Sequence, residues 1–367
     1  MKIGILTVPF NNNYGGLLQA FALKAVLSEQ GHTVVFLNRK RNKQNSLKFK
    51  VYNILVKLHI IDNYLEKRAN ALSVNTDAFK KQYIYPITEP YYSTQEFQKI
   101  TGLDIDFFIV GSDQVWRYSY AEDSIDDYFF NILAEDNKPR ISYAASFGTD
   151  VMDYPEEKLV KAKELLKLFK GVSVREPSGK LLINKYLGLP LEKVQVVLDP
   201  TLLLDANKYK AIIKSNYTTE KNYIFTYILD NHLIDEKSLQ LLCSKFNCSR
   251  IDLKAQTGDL SKISVISPVE QWLDSISHSK AVVTDSYHGT VFSIIFNRQF
   301  VVVANPERGI TRLKELLSVF ELEDRLITHF DDSIVDIMSK PINWEKVNVI
   351  IKNRREESLC FLHSMLD

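Results

Sequence analysis

The sequence predicts an α/β protein with two successive units of mostly parallel β-sheet, and three observations support this prediction. Short apolar and β-branched segments of strand length recur along the chain, and segments with helical spacing of apolar residues separate most of them. Polar, turn-forming residues follow several of the strand segments. The chain has 367 residues, of which 45% are hydrophobic, so it is long enough to bury two cores.

The first unit opens with a strand, a loop, a helix and a second strand. Residues 3–8 are apolar, and residues 9–16 carry the Pro, Asn and Gly that are typical of turns. Residues 17–27 have helical spacing, and residues 33–37 are apolar and β-branched. Helical segments between strands favour parallel pairing, so a doubly wound sheet is predicted. Its further strands are predicted at residues 107–110, 141–145, 172–174 and 194–198.

A second α/β series follows the Asp199-Pro200 turn. The polar residues 214–222 indicate a linker, so we predict an N-terminal domain at 1–213 and a C-terminal domain at 214–342. Residues 343–367 are predicted to form a C-terminal helix that returns towards the N-terminal domain. A crevice between the two sheets is the expected ligand site. In the second unit, strands are predicted at 223–229, 263–266, 281–284 and 300–303, and helices at 236–246 and 269–276.

Composition and charge exclude several classes of protein. Lys and Arg total 46 against 45 Asp and Glu, a net charge of +1, so no nucleic-acid partner is expected. The three cysteines form no CxxC pair, and no cluster has metal-ligand spacing, so neither a disulfide framework, a metal nor another cofactor is expected. The first residues lack a secretory pattern, and apolar runs are far shorter than the roughly 20 residues of a spanning helix, so we expect a cytoplasmic protein.

A basic segment interrupts the first unit. Residues 39–50 carry several Lys and Arg and no acidic residue, and residues 51–67 have the spacing of an amphipathic helix. One interpretation is a solvated connection. The other is peripheral contact of residues 39–67 with anionic lipid at the inner face of the membrane, or with a lipid-linked substrate, since each cation near such a surface contributes about 1 kcal/mol.

Two loops in the first unit carry residues suited to ligand binding. Gly15 and Gly16 stand between the first strand and the first helix, where the absence of side chains lets the backbone approach an anion or a sugar. A plain tight turn is the alternative for this loop. Ser112 and Asp113 follow the third strand and offer a hydroxyl and a carboxylate at a strand end.

A cationic candidate stands at the end of another strand of the first unit. Arg175 follows the strand at 172–174 and precedes a helix, which places a guanidinium beside the unpaired N–H groups of the helix start. Its planar fork of donors suits a carboxylate or a phosphate. A structural salt bridge from Arg175 to Glu176 or to another acid is the alternative.

The most informative loop of the sequence is Asp285-Ser286-Tyr287-His288-Gly289. It follows the strand at 281–284 and precedes a helix predicted from Thr290 to Phe296, so its polar side chains stand where ligands of open α/β sheets bind. The imidazole of His288 can give or take a proton near neutral pH, and the helix start favours phosphate. Asp285, Ser286, His288 and Gly289 are therefore candidate site residues.

These segments together resemble the polysaccharide pyruvyl transferase family. The resemblance implies two Rossmann-like domains in a GT-B-like arrangement, phosphoenolpyruvate as the donor, a sugar or lipid-linked oligosaccharide as the acceptor and a pyruvyl ketal as the product, in the biosynthesis of cell-surface exopolysaccharide. The resemblance covers most of the chain. The matching segments are residues 13–19, 111–116, 173–176, 199–200, 285–289 and 309–312.

Roles for the candidate residues follow as hypotheses. Arg175 grips the carboxylate or phosphate of the donor. His288, oriented by Asp285 or Ser286, gives a proton to the donor or takes one from the incoming hydroxyl. Arg312 is a candidate for phosphate or acceptor binding, with a solvated position on an amphipathic helix as the alternative. No metal is required by this scheme.

Two departures from the family pattern keep other functions open. Glu176 stands where the family often has Asp, and Tyr287 stands where Leu is frequent. A GT-B nucleotide-sugar glycosyltransferase is one alternative, because the same architecture binds a diphosphate equally well at a helix start. A non-catalytic member that binds a glycan or a partner protein is the other.

Overall fold

Two parallel sheets form the framework of the protein. The computed structural model describes residues 1–40, 55, 64–213, 217, 221–253, 265–305 and 309–367. The first sheet has six strands in the order β2-β1-β3-β4-β5-β6, and the second has five in the order β11-β10-β9-β7-β8. The strands are β1 Lys2–Leu6, β2 Thr33–Leu37, β3 Phe107–Val110, β4 Arg140–Ala145, β5 Gly171–Val174, β6 Val194–Val196, β7 Tyr223–Tyr227, β8 Ser249–Asp252, β9 Ala281–Thr284, β10 Gln299–Val303 and β11 Leu326–Ile327.

Helices cover the sheets, and within both sheets every strand pair is parallel. This confirms the predicted α/β class with mostly parallel sheets. The described α-helices are α1 Tyr14–Glu29, α2 Tyr64–Phe79, α3 Thr94–Phe97, α4 Tyr118–Ala121, α5 Glu156–Leu166, α6 Pro177–Leu182, α7 Ala206–Lys210, α8 Glu236–Phe246, α9 Val269–His278, α10 Tyr287–Ile295, α11 Ile310–Val319, α12 Ile334–Ser339 and α13 Trp344–Leu366.

The second sheet differs from its prediction at two strands. The strand expected at 263–266 is not formed at residues 265 and 266, while residues 263 and 264 lie outside the described part of the chain. In its place, β8 pairs with β7 at the sheet edge. Its sequence is Ser-Arg-Ile-Asp and three of its four residues are exposed, so it gives no apolar signal. The two-residue β11 is too short to recognise from sequence.

The two halves share an apolar core. Residues of β1 and α1 belong to the same buried cluster as residues of β7, β9 and α10. Tyr14 at the start of α1 stacks on Trp272 of α9, with ring centroids 5.5 Å apart, and its hydroxyl donates to the Ser267 carbonyl at 2.9 Å. The predicted linker at 214–222 lies between the sheets in sequence, although residues 214–216 and 218–220 are outside the described ranges. The domain boundaries stay a prediction.

The C-terminal helix packs back across the body, as predicted. Helix α13 is continuous over 23 residues. Its buried Ser358 hydroxyl accepts a hydrogen bond from the Leu198 amide at 3.0 Å, just beyond β6. Near its end, Lys170 donates to the Met365 carbonyl at 2.7 Å. The helix continues through the polar residues 352–358, of which Ser358 is buried against the first half.

Most of the basic segment at 39–67 lies outside the described residues. Its first residue does not belong to a solvated patch: Arg39 is buried and paired with Asp127 at 2.7 Å. Among the helices described, none combines the length and apolar character needed to cross a bilayer.

Candidate active site

A cleft of about 920 Å³ opens between the carboxyl ends of the two sheets. This is the position predicted for the ligand site, because the loops that follow parallel strands meet at that edge. The cleft is lined by six of the candidate residues, Gly16, Asp113, Asp285, Ser286, His288 and Arg312. The remaining candidates are buried directly behind this lining, namely Gly15, Ser112, Arg175 and Gly289.

His288 lies in the first turn of α10, which begins at Tyr287 and not at the predicted Thr290. The helix starts early because the Ser286 hydroxyl caps it, accepting from the Gly289 amide at 3.3 Å. His288 is 7% exposed. A Cβ atom on Gly15 would lie 2.0 Å from its Nδ1, so the imidazole packs on the glycine at the start of α1. The N-termini of the two helices therefore meet at His288.

The structure does not bring Asp285 to the imidazole. Its carboxylate accepts hydrogen bonds from the backbone amides of Leu229 at 2.7 Å and Asp230 at 3.1 Å. Strands β9 and β7 are neighbours, so the loop after one strand holds the loop after the other. Asp285 shapes the cleft wall, and Ser286 serves as the helix cap. The carboxylate that faces His288 belongs instead to Asp199, whose Oδ2 lies 3.6 Å from Nε2.

Asp199 is the functional candidate that sequence reasoning missed. Its Oδ1 accepts from the Thr201 amide at 3.0 Å and the Thr201 hydroxyl at 2.7 Å. Its Oδ2 accepts from Ser112 Oγ at 3.1 Å and from Arg175 Nη1 at 2.9 Å. Burial opposes its ionisation, but His288, Arg175 and Thr201 outweigh burial and hold its pKa well below the usual range. The available signal was its place just after β6, at the same sheet edge as the other candidates.

Arg175 is a buried ion-pair centre, which corresponds to the structural alternative considered for it. Its side chain is 1% exposed and lies behind the cleft lining. Nε donates to Glu176 at 2.7 Å and Nη1 to Asp199 at 2.9 Å, while Asp113 Oδ1 lies 4.0 Å away. Burial disfavours its charge, but Glu176, Tyr287 and Asp199 reverse that effect and raise its pKa. Within the described ranges, its buried Nη2 has no hydrogen-bond partner.

Arg312, predicted as either a ligand contact or a solvated residue, lines the cleft and is half-buried. Its guanidinium lies 5.8 Å from the Tyr287 ring, whose centroid is 4.2 Å from the Arg175 guanidinium. The preceding Gly309 has a φ of 84°, and a Cβ there would lie 2.5 Å from the Gly148 carbonyl. Gly309 is the N-cap residue of α11, and Arg312 in the first turn of that helix lines the cleft. Burial, and then the charge of Arg175, lower the pKa of Arg312, but an arginine stays charged.

Asp113 occupies a constrained position on the same wall. Its φ is 77°, in the left-handed region, and its Oδ1 accepts from the Gln114 amide at 2.9 Å. A non-glycine residue held in this conformation stores strain, which is common at functional sites. The preceding Ser112 points the other way, with its hydroxyl on Asp199 at 3.1 Å. The loop after β3 thus serves both the cleft and the buried cluster behind it.

The described residues contain no group of three or more His, Cys, Asp or Glu side chains arranged to hold a metal ion. The expectation that no metal or other cofactor is needed stays a prediction. The chemistry available from the described residues is an imidazole, a cleft-facing guanidinium, two helix N-termini and the carboxylates of Asp113 and Asp285.

Two parallel sheets that face each other across a cleft at their carboxyl ends form a GT-B-like arrangement, as the sequence predicted. The fold is similar to UDP-N-acetylglucosamine 2-epimerase from Rickettsia bellii (TM-score 0.54, 11% identity, 99% of this chain and 96% of that chain). It is also similar to the UDP complex of S. aureus MnaA (TM-score 0.54, 12% identity, 95% of this chain and 90% of that chain). A third similar structure is Methanocaldococcus jannaschii UDP-GlcNAc 2-epimerase with UDP-GlcNAc and UDP (TM-score 0.51, 10% identity, 96% of this chain and 99% of that chain). At these identities the likeness concerns the fold alone.

The family follows from the sequence match. The model of the family "Polysaccharide pyruvyl transferase" matches residues 13–307, which is most of the chain, and the protein belongs to this family. The resemblance inferred from the loop motifs is thereby confirmed. No curated protein matches the chain.

Proposed function

We propose that the protein transfers the pyruvyl group of phosphoenolpyruvate to two hydroxyls of a sugar, or of a lipid-linked oligosaccharide, to form a pyruvyl ketal of a cell-surface polysaccharide. Membership of the family supports transfer to a polysaccharide. The observation that carries the choice of donor is the placement of His288 and Arg312 on one cleft wall, where the N-terminus of α1 meets that of α10. Because the donor is an intracellular metabolite, the proposal includes a cytoplasmic location.

The cleft offers several groups that suit a small polyanion. Helices α1 and α10 have no acidic side chain in their first turns, and their neutral caps, Asn13 and Ser286, leave the positive helix ends able to stabilise negative charge. Arg312 adds a guanidinium that faces the cleft. Phosphoenolpyruvate carries a carboxylate and a phosphate, and these two groups can occupy the helix N-termini and Arg312 together. Arg175 acts from behind the lining, where it neutralises buried carboxylates.

The reaction needs an acid, because C2 of the enol becomes electrophilic when C3 receives a proton. In the first step His288, as the imidazolium, gives its proton to C3 and the first hydroxyl oxygen bonds to C2; the proton lost by that hydroxyl returns to the imidazole and restores the imidazolium. In the second step the other hydroxyl bonds to C2, the C2–O bond to phosphate breaks, and the departing phosphate carries away the second proton. General acid–base catalysis of this kind contributes roughly 10²- to 10⁴-fold.

Thermal unfolding with candidate donors tests the proposal. Phosphoenolpyruvate at 100 times its dissociation constant is expected to stabilise the protein by about 2.7 kcal/mol. Arg312→Ala is expected to remove the gain, whereas Lys314→Ala, an exposed cation on the same helix, is expected to keep it. Inorganic phosphate serves as the control for a simple anion effect. If UDP-GlcNAc stabilises and phosphoenolpyruvate does not, the nucleotide-sugar transferase takes the place of this proposal.

Turnover separates an enzyme from a binding protein. Release of phosphate from phosphoenolpyruvate in the presence of an acceptor mixture is expected from the unmodified protein and not from His288→Ala. The same variant is expected to retain stabilisation by phosphoenolpyruvate, because Arg312 and the helix N-termini are untouched. A His288→Ala protein with near wild-type turnover would remove His288 from the mechanism. Binding without turnover, for every acceptor in the mixture, would support the non-catalytic alternative.

A further inference from the structure

His288 is held between the two halves of the molecule. The face of its ring rests on Gly15, since a Cβ there would lie 2.0 Å from Nδ1, 2.3 Å from Cγ and 2.7 Å from Cε1, whereas Nε2 is buried and directed at the first half. Asp199 Oδ2 lies 3.6 Å from Nε2, slightly beyond the range of a hydrogen bond but close enough for strong electrostatic attraction. Strand β9, which leads to His288, and strand β6, which leads to Asp199, belong to different sheets.

The Asp199 carboxylate cannot turn away from the imidazole. Two donors from Thr201 hold Oδ1, at 3.0 and 2.7 Å, and Ser112 and Arg175 hold Oδ2, at 3.1 and 2.9 Å. All of these partners belong to the first half, and the carboxylate is 1% exposed. A carboxylate with both oxygens fixed presents one orientation to whatever approaches Oδ2.

We propose that Asp199 is the positioning residue for His288: it attracts the Nε2–H edge from behind the cleft and so presents Nδ1 to the donor and acceptor. An acid beside an imidazole selects the tautomer and the orientation of the ring. The contribution of this pairing to the reaction rests on the proposed pyruvyl transfer. The pairing itself is a property of the free protein and does not depend on the donor.

The arrangement divides the acid–base apparatus between the two halves. The second half supplies the imidazole and the first half supplies the carboxylate that orients it. The pair is complete only when the halves approach as they do here. Glu315 on α11 makes a second contact of this kind, accepting from the Ser178 amide and hydroxyl at 2.8 Å each. The orientation of His288 therefore depends on how the two halves are set against each other.

The first test is the ¹⁵N NMR spectrum of histidine-labelled protein without ligand, with the His288 signals assigned by their loss in His288→Gln. In the neutral ring, Nε2 is expected to carry the proton and Nδ1 to be the unprotonated nitrogen. In Asp199→Asn, which keeps the shape and removes the charge, the Nδ1 and Nε2 shifts are expected to move towards those of a free histidine. A neutral ring protonated at Nδ1 in the unmodified protein would overturn the proposal, even if Asp199→Asn does not fold.

The second test separates positioning from structure. Asp199→Asn is expected to lower kcat roughly 10²-fold, with the KM for phosphoenolpyruvate changed by less than about threefold. The matched control is Asp127→Asn, which neutralises another buried aspartate of the first half, paired with Arg39 at 2.7 Å. It is expected to lower stability while the His288 shifts and kcat stay unchanged. Equal losses of kcat in the two variants would reduce Asp199 to a structural role.

The outcomes distinguish this inference from the proposed function. If phosphoenolpyruvate is not turned over at all, the proposed function fails, and the NMR arm still decides whether Asp199 sets the His288 tautomer. If the unmodified protein turns over phosphoenolpyruvate but Asp199→Asn has the same His288 shifts as the unmodified protein, the inference fails and the proposed function stands.

Discussion

Gly15→Ala is the substitution for which the structure predicts the sharpest contrast between stability and activity. Gly15 is the second residue of α1, where alanine favours the helix by up to about 1 kcal/mol. A Cβ at this position would lie 2.0 Å from His288 Nδ1, 2.3 Å from Cγ and 2.7 Å from Cε1. Ordinary contact begins near 3.4 Å, so the imidazole must retreat by more than 1 Å.

The expected result is a large loss of activity with a modest change in stability. Overpacking of this size costs about 1–3 kcal/mol, and the helix preference offsets part of it. A displacement of about 1 Å at a reacting group costs roughly 10²-fold in rate. Phosphate release from phosphoenolpyruvate measures the activity, and urea unfolding followed by circular dichroism measures the stability.

Two further glycines provide the controls for this experiment. Gly16→Ala adds a methyl at the next position of α1, but its nearest neighbours would be 3.9 Å away, so the His288 NMR shifts are expected to stay in place. Gly102→Ala has no heavy atom within 4 Å of the added carbon and is expected to leave kcat unchanged. A Gly15→Ala protein with wild-type kcat and unshifted His288 signals would refute the placement of the imidazole and the role argued for it.

Three other predictions concern acid stability, the second close glycine contact and metal independence. The pKa of Asp199 is lowered in the folded state, so the stabilisation by its carboxylate is complete above the ordinary pKa of about 3.9 and is lost as the pH falls below it. The difference in unfolding free energy between the unmodified protein and Asp199→Asn should therefore shrink from pH 4 to pH 2. A constant difference would contradict this prediction. Gly309→Ala should lower stability by roughly 1–3 kcal/mol in urea unfolding, because φ is 84° and the Gly148 carbonyl is close; an unchanged midpoint would contradict it. Turnover should persist in excess chelator, and loss of activity that Mg²⁺ restores would show that a metal is required.

The sequence predicted which edge of the sheets carries the site, because polar residues that directly follow parallel strands can be recognised from the sequence alone. Polar residues after parallel strands identified the loops at Gly16, Asp113, Asp285 and His288, all of which line the cleft. A strand end is a local feature, and parallel strands bring their carboxyl ends to one side. The same reasoning recovered most of the strands, since buried parallel strands are nearly continuous apolar runs.

The partners within the site could not be predicted in this way. The sequence suggested that Asp285 or Ser286 orients His288, whereas the imidazole faces Asp199 from the other half. Arg175 was expected to reach the donor, with a salt bridge to Glu176 or another acid as the alternative, and its side chain is enclosed by acids brought from three separate loops. Such contacts depend on how the two sheets are set against each other, and no local periodicity records that arrangement. Strand β8 was missed for a different reason, since an exposed edge strand needs no apolar face.

The long C-terminal helix ties the two halves together a second time. Near its start, Lys346 pairs with Glu321 of the second half, and near its end the Met365 carbonyl accepts from Lys170 of the first. A stiff rod of 23 residues spans about 34 Å, so any change in the angle between the halves must shift one of its ends. Trp344 at the first turn is half-buried, whereas Trp116 and Trp272 are fully buried. The protein thus carries a half-buried native fluorophore at the end of this helix that pairs with the second half.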